Sequence, residues 1–281
     1  MRILNKMKND FNTRLGVSGF TMVEILVALA MASIIITVAF RSYIVQHNQL
    51  MVQEDVSEIQ ANARAVAELL AQEIRKTGYM LPGIVTSMEA SNSNPDTIVI
   101  KYATSKLFGV FLDQPTLAAN SGLQCIGNSI NGVAAGDWIY IYDEAADSGE
   151  ALAITDVDYN NGIIYHDVHP LGRMYPGGSK LYSIERDKFY VDNSDTSHPN
   201  LMIERLGQPP EVYAENIEHL DFEYYMADST STIMFADPEE VRMIGINVRA
   251  KSFRPELNTV DGDYRKREFT LKVKLRNFGL S

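Results

Sequence analysis

From Phe20 to Phe40 the chain is apolar almost without interruption, and the run ends only at Arg41. About 21 residues at 1.5 Å each cover the roughly 30 Å hydrocarbon core of a bilayer, so the stretch predicts a membrane-crossing helix. One carboxylate, Glu24, sits near its start. An ionisable group in such a segment is costly and marks a site whose partner carries positive charge or a donor. The helical pattern does not stop at Arg41. Neither Gly nor Pro occurs between Phe20 and Thr77, so nothing local breaks a helix of about 58 residues, roughly 87 Å long. Its outer part places Ile59, Ala63, Val66, Leu70 and Ile74 on one stripe of 3.6-residue period, which must face a sheet. Glu54, Asp55, Glu58, Arg64, Glu68, Glu73, Arg75 and Lys76 fall mostly off the stripe, as a solvated face does, and Gly78 is placed as a C-terminal cap.

Beyond Gly78 the period changes to two. Strands are predicted at Thr97 to Tyr102, Asp137 to Tyr142, Ala151 to Tyr159, Gly162 to His166 and Lys180 to Asp192. Four more follow at Leu201 to Leu206, Ile217 to Met226, Val241 to Lys251 and Glu268 to Arg276. Asn160-Asn161-Gly162 is a hairpin signal between two of them, and residues 91–96 and 194–200 are polar loops. One long helix followed by antiparallel strands is an α+β arrangement, with the helix's outer half packed on the sheet.

Charge narrows the function classes. The chain carries a formal −11, while residues 1–19 hold Arg2, Lys6, Lys8 and Arg14 against Asp10, so the remainder carries −14. An acidic exterior argues against direct, nonspecific nucleic-acid binding, which needs Lys and Arg to neutralise phosphates. By the positive-inside rule residues 1–19 are cytoplasmic and everything after Arg41 lies outside. Cys125 is the single cysteine, so no intrachain disulfide forms and stability comes from packing.

Catalytic motifs are absent: no Gly-x-Ser-x-Gly, phosphate-cradling loop or Cys-x-x-Cys occurs, and no enzyme activity is expected. His166 and His169, three apart on an extended segment, point to opposite faces. Asp156, Asp158, Asn160 and Asp167 partly follow the alternating oxygen ligands of a calcium loop, with Asn161 where the turn wants glycine. A hairpin turn with exposed acids is the other reading. Asp143, Glu144, Asp147 and Glu150 form a second acidic loop with the same two readings. Tyr102, Trp138, Tyr140, Tyr142, Tyr159 and Tyr165 are read either as core or as a contact surface.

Basic residues, then Gly19-Phe20-Thr21-x-x-Glu24, then about twenty apolar residues closely resemble the prepilin signal of type IV pilins and type II secretion pseudopilins. The alternative is an ordinary signal anchor with an incidental glutamate. The resemblance implies that a prepilin peptidase cuts between Gly19 and Phe20, that the new amino terminus of Phe20 is methylated, and that Glu24 pairs with the terminal amine of a neighbouring subunit. It divides the chain into a cleaved leader (1–19), a membrane and filament-core helix (20–41), the amphipathic outer half of that helix (42–78) and a β-rich head (79–281), the lollipop outline of a pilin.

Glu73-x-Arg75-x-x-Gly78-Tyr79 is similar to an element of PilW-like minor pilins. Phe189-Tyr190-Val191-Asp192, Leu201 to Arg205, Glu215 to Tyr224, Val241 to Val248, and Phe269 to Asn277 follow an order seen in PilW-like and GspJ-like proteins. Residues 80–180 lie outside the resemblance. Two features set the chain apart from major pilins, which often carry a proline near the position of Arg41 and a cysteine pair in the C-terminal loop. The implied function is that of a minor pilin acting in initiation and assembly at or near the tip of a type IV pilus. A minor pseudopilin of type II secretion and a tip module for adhesion or DNA uptake are the alternatives. Expected partners are other minor pilins, the major pilin, the prepilin peptidase and the inner-membrane assembly platform. The expected location is the inner membrane and then the cell-surface pilus. No cofactor is expected beyond a possible calcium ion.

Overall fold

The computed structural model describes residues 19–116, 122–167, 171–255 and 263–276. The basic residues of 1–18, His169 and Asn277 lie outside them. The architecture is α+β: one long helix, then antiparallel strands. Two compact units are present, Met1–Glu54 and Asp55–Ser281.

In the first unit the helix α1 (Met22–Ile74) starts directly after Thr21 and is exposed from Met22 to Met51, Val52 being the first half-buried residue. In the second unit α1 buries Ile59, Ala63, Val66, Ala67, Leu70, Ala71 and Ile74, the predicted stripe with two alanines added. The helix ends three residues earlier than its composition allows. The chain tightens through Lys76 N–H to Glu73 O and Thr77 N–H to Ile74 O, and Gly78, in the left-handed region at φ 73°, donates its N–H to Lys101 O at 2.9 Å. Gly78 thus ties the helix exit to a strand, whereas a cap would return its N–H to a helix carbonyl.

The strands are β1 (Met88–Ser91), β2 (Thr97–Thr104), β3 (Val110–Leu112), β4 (Gly122–Gly127), β5 (Trp138–Asp143), β6 (Ser148–Asp158) and β7 (Ile163–His166). They continue with β8 (Lys180–Asp192), β9 (Asn200–Arg205), β10 (Glu211–Glu215), β11 (Ile217–Met226), β12 (Ser231–Thr232), β13 (Val241–Pro255) and β14 (Tyr264–Lys274). All pairings are antiparallel. Strand β8 organises them. Its first half pairs β3 on one edge and β5 on the other, and the pairings β3–β4, β4–β7, β7–β6 and β6–β5 close a six-stranded barrel. Its second half pairs β2 and β9, extending to β1 and β10. The barrel is therefore an insertion between two strands, β2 and β8, that pair with each other.

Each half has its own core. Val110, Leu112, Leu123, Cys125, Ile139, Ile141, Leu152, Ile154, Ile164 and Leu181 fill the barrel. The other core joins the α1 stripe to Ile98, Ile100, Phe189, Leu201 and Ile203, and to Ile217, Leu220, Phe222, Ile244, Ile246 and Val248 of the four-stranded sheet β12-β11-β13-β14. Buried Asp96 fastens that sheet to β2: it donates its N–H to Leu220 O and accepts from Phe222 N–H, both at 2.9 Å.

Candidate functional site

The Gly19–Glu24 segment sits at the start of α1, with Gly19 exposed and Phe20 82 % exposed. Thr21 is the N-cap and Glu24 the third helical residue. Glu24 Oε2 accepts from Thr21 N–H and from Thr21 Oγ1–H, each at 3.0 Å, and Glu24 N–H donates to Thr21 Oγ1 at 3.3 Å. This reciprocal pattern is a capping box, in which two orphan helix donors are satisfied at once. It explains why the helix begins where it does, and it holds the carboxylate against the backbone N–H of Thr21, the residue that follows Phe20. Both bonds fall on Oε2; among the described residues Oε1 accepts none. The capping role was legible as Thr-x-x-Glu, a signal that the reading of Glu24 as a lone membrane charge passed over.

The remaining polar groups of the apolar run are also served from within the helix. Ser33 Oγ donates to Ala30 O and Thr37 Oγ1 to Ser33 O, both at 2.7 Å. With Thr21 and Glu24 paired, each of the four polar side chains between Phe20 and Phe40 has an intrahelical partner, which is what a lipid environment requires. The helix is long and apolar enough to cross a membrane.

The calcium candidates are not brought together. Asp158 closes the β6–β7 turn, accepting on Oδ1 from Asn160 and Asn161 N–H at 3.1 Å each and on Oδ2 from Asn161 Nδ2 at 2.7 Å. Gly162 takes the left-handed conformation that the turn needs, at φ 68°. Asp156 is exposed and accepts from the N–H of Val157. Asp167 follows β7, its N–H bonded to Ala153 O. Ala153 lies five residues up β6 from Asp158, about 16 Å at 3.3 Å per residue. Asn160 stands exposed in the turn. Among the described residues no three of His, Cys, Asp and Glu are grouped to hold a metal ion.

The second acidic loop is tied up as well. Asp143 pairs with Arg173 at 2.6 Å and Glu144 with Lys180 at 2.6 Å. Asp147 accepts from Tyr142 OH at 2.7 Å, and Glu150 accepts from Gly172 N–H.

The aromatic residues divide between the two readings. On β5, Ile139 and Ile141 point into the barrel, so Trp138, Tyr140 and Tyr142 lie on its outer face, half-buried. Tyr140 is opposite Tyr182 of β8 on that face and covers Gly149 of β6. Tyr102 lies inward on β2, and Tyr159 is exposed with its hydroxyl donated to Val133 O.

Cys125 lines the barrel core, 8 % exposed, and burial pushes its thiol up to about 12, which leaves it inert at neutral pH. In comparison with known proteins, no family model and no curated protein sequence matches the chain.

Proposed function

We propose that the chain is a pilin-like filament subunit, a minor pilin of the type IV pilus that acts in initiation and assembly at or near the tip. The observation that carries this reading is the capped start of α1. Thr21 holds Glu24 within about one turn of Phe20 and leaves Glu24 Oε1, among the described residues, without a donor. While the Gly19–Phe20 bond is intact the nitrogen of Phe20 is a neutral amide. Cleavage by a prepilin peptidase turns it into an ammonium, whose methylation keeps the charge. That ammonium, on a neighbouring subunit, is the donor that Oε1 lacks, and a charge-assisted bond in a low-dielectric helix bundle fixes subunit register. Before assembly the helix anchors the subunit in the inner membrane, with residues 1–19 cytoplasmic and the β-rich unit outside.

The test is filament incorporation. Glu24→Ala and Glu24→Gln are expected to leave folding and cleavage intact and to reduce the amount of this chain in sheared filaments. Normal incorporation of either variant would refute the pairing. Co-purification with pilus components, as opposed to secretion pseudopilins, separates the pilus from type II secretion. A second reading, a surface-binding role for the barrel, draws support from the outer aromatic row Trp138, Tyr140, Tyr142 and Tyr182. Loss of adhesion or DNA uptake with filaments still present, in a variant lacking those aromatics, favours it.

A further inference from the structure

A polar cleft of about 330 Å³ opens between the barrel and the helix-bearing core, lined by Tyr102, Lys106, Asp137, Trp138, Glu185, Asp187, Arg205 and Gln208 among others. Its position follows from the topology. On one edge of β8, β5 stops pairing at Ile184 and β9 begins at Asp187, so the two strands abut end to end and leave a gap. The inward face of β8 runs Leu181, Ser183, Glu185, Asp187, Phe189, so two carboxylates point inward at the gap, between the two apolar cores.

The charges in the cleft do not balance. Lys106 reaches Asp137 at 3.2 Å and Glu185 at 3.7 Å, one ammonium shared by two carboxylates. Register sets Arg205 directly across from Asp187, yet its guanidinium pairs with Glu211 of β10. Asp187, only 3 % exposed, accepts a hydrogen bond at 3.0 Å from the neutral hydroxyl of Tyr102, and among the described residues no Lys, Arg or His nitrogen lies within 4.0 Å of its carboxylate. Burial, and then the neighbouring Asp187 and Asp137 charges, hold Glu185 above the ordinary carboxylate range although Lys106 opposes them; burial and Glu73 do the same to Asp187, against its bond from Tyr102 and the more distant charges of Arg205 and Lys76. A carboxylate removed from water without a cation at contact distance is among the costliest arrangements a protein holds.

We propose that this cleft is a binding site for a primary ammonium group carried on an aliphatic chain, with Glu185 and Asp187 as its acceptors. One added positive charge offsets part of this carboxylate excess. An ammonium has three donors and no acceptor, so it suits a pocket already rich in oxygen. The volume is at the low end of ligand sites, enough for the charged head and several methylenes of a diamine or a lysine side chain. Trp138 and Leu206, which also line the cleft, offer walls for the methylenes.

The test uses the full-length chain in detergent micelles and calorimetric titration with three probes: cadaverine, Nα-acetyl-lysine methylamide, and the same amide acetylated on its side-chain nitrogen. The first, the second or both are expected to bind saturably, and the acetylated amide is not. Binding of the lysine amide alone assigns the site to a protein-borne lysine. Cadaverine alone assigns it to a free diamine, and binding of both leaves the shared ammonium as the recognised group. Glu185→Gln and Asp187→Asn are each expected to weaken binding about tenfold or more, the loss of one charge-assisted bond. Failure of both amines to bind, or equal binding of the acetylated amide, would overturn the proposal. Undiminished affinity in both variants would overturn it too. The acetylated probe acts on the unaltered chain, so the test does not depend on the variants folding.

Discussion

Leu70 and Leu69 are adjacent on α1, one fully buried against the sheets at 0 % exposure and the other 44 % exposed. The same substitution at each separates packing from helix propensity, because Leu and Ala differ little as helix formers. Leu70→Ala deletes about three methyl or methylene equivalents, near 0.8 kcal/mol each in transfer, and the cavity left behind raises the cost to about 3–5 kcal/mol. Leu69→Ala is expected to cost within about 0.5 kcal/mol. In a unit of this size 3 kcal/mol lowers the melting temperature by roughly 6–12 °C. Thermal unfolding of the full chain in detergent, followed by far-ultraviolet circular dichroism, measures both. Fluorescence of Trp138, the single tryptophan, reports on the barrel and is expected to move with the dichroism, since β8 runs through both cores. Equal shifts for the two variants would refute the burial of the stripe.

Two further outcomes follow from the buried ionisable groups. Because Glu185 and Asp187 are held above their ordinary values of 4.5 and 3.8, the folded state binds their protons more tightly than the unfolded state. Their contribution is fully present at pH below those ordinary values and is lost as pH rises through the raised ones. Glu185→Gln and Asp187→Asn should flatten stability against pH in that window, and denaturant titrations at several pH values would show it. Cys125 should react with a thiol reagent at neutral pH only after unfolding; rapid labelling of the native chain would contradict its place in the barrel.

Much of the fold was legible because period and boundary signals agreed. The α1 stripe, the full extent of β8 and β11, and the β6–β7 hairpin follow directly from apolar spacing and from Asn-Asn-Gly. Other features depend on information that pattern does not carry. Strand β3 is only three residues long, and barrel closure is a matter of which strands pair. Strand β6 begins at Ser148, three residues before the Ala151 start that apolar alternation predicts. A Cβ on Gly149 would stand 2.4 Å from Ile141 O and from the Tyr140 ring, so glycine serves close approach there. The polar cleft left one trace in the sequence, charges at the inward phase of β8, where alternation calls for apolar residues. At the helix start the reverse holds: Thr-x-x-Glu is visible in full, and its capping bonds are a local backbone effect separate from the membrane charge.

The most direct test of the central claim is the chemical state of the amino terminus. The chain is co-expressed with a prepilin peptidase, purified, and its N-terminal peptide analysed by mass spectrometry. The expected product is a chain that begins at Phe20 with a methylated amine, and the uncut form is expected to be retained in Gly19→Leu. An intact residue 1–19 segment, or a cut at any other bond, would contradict it.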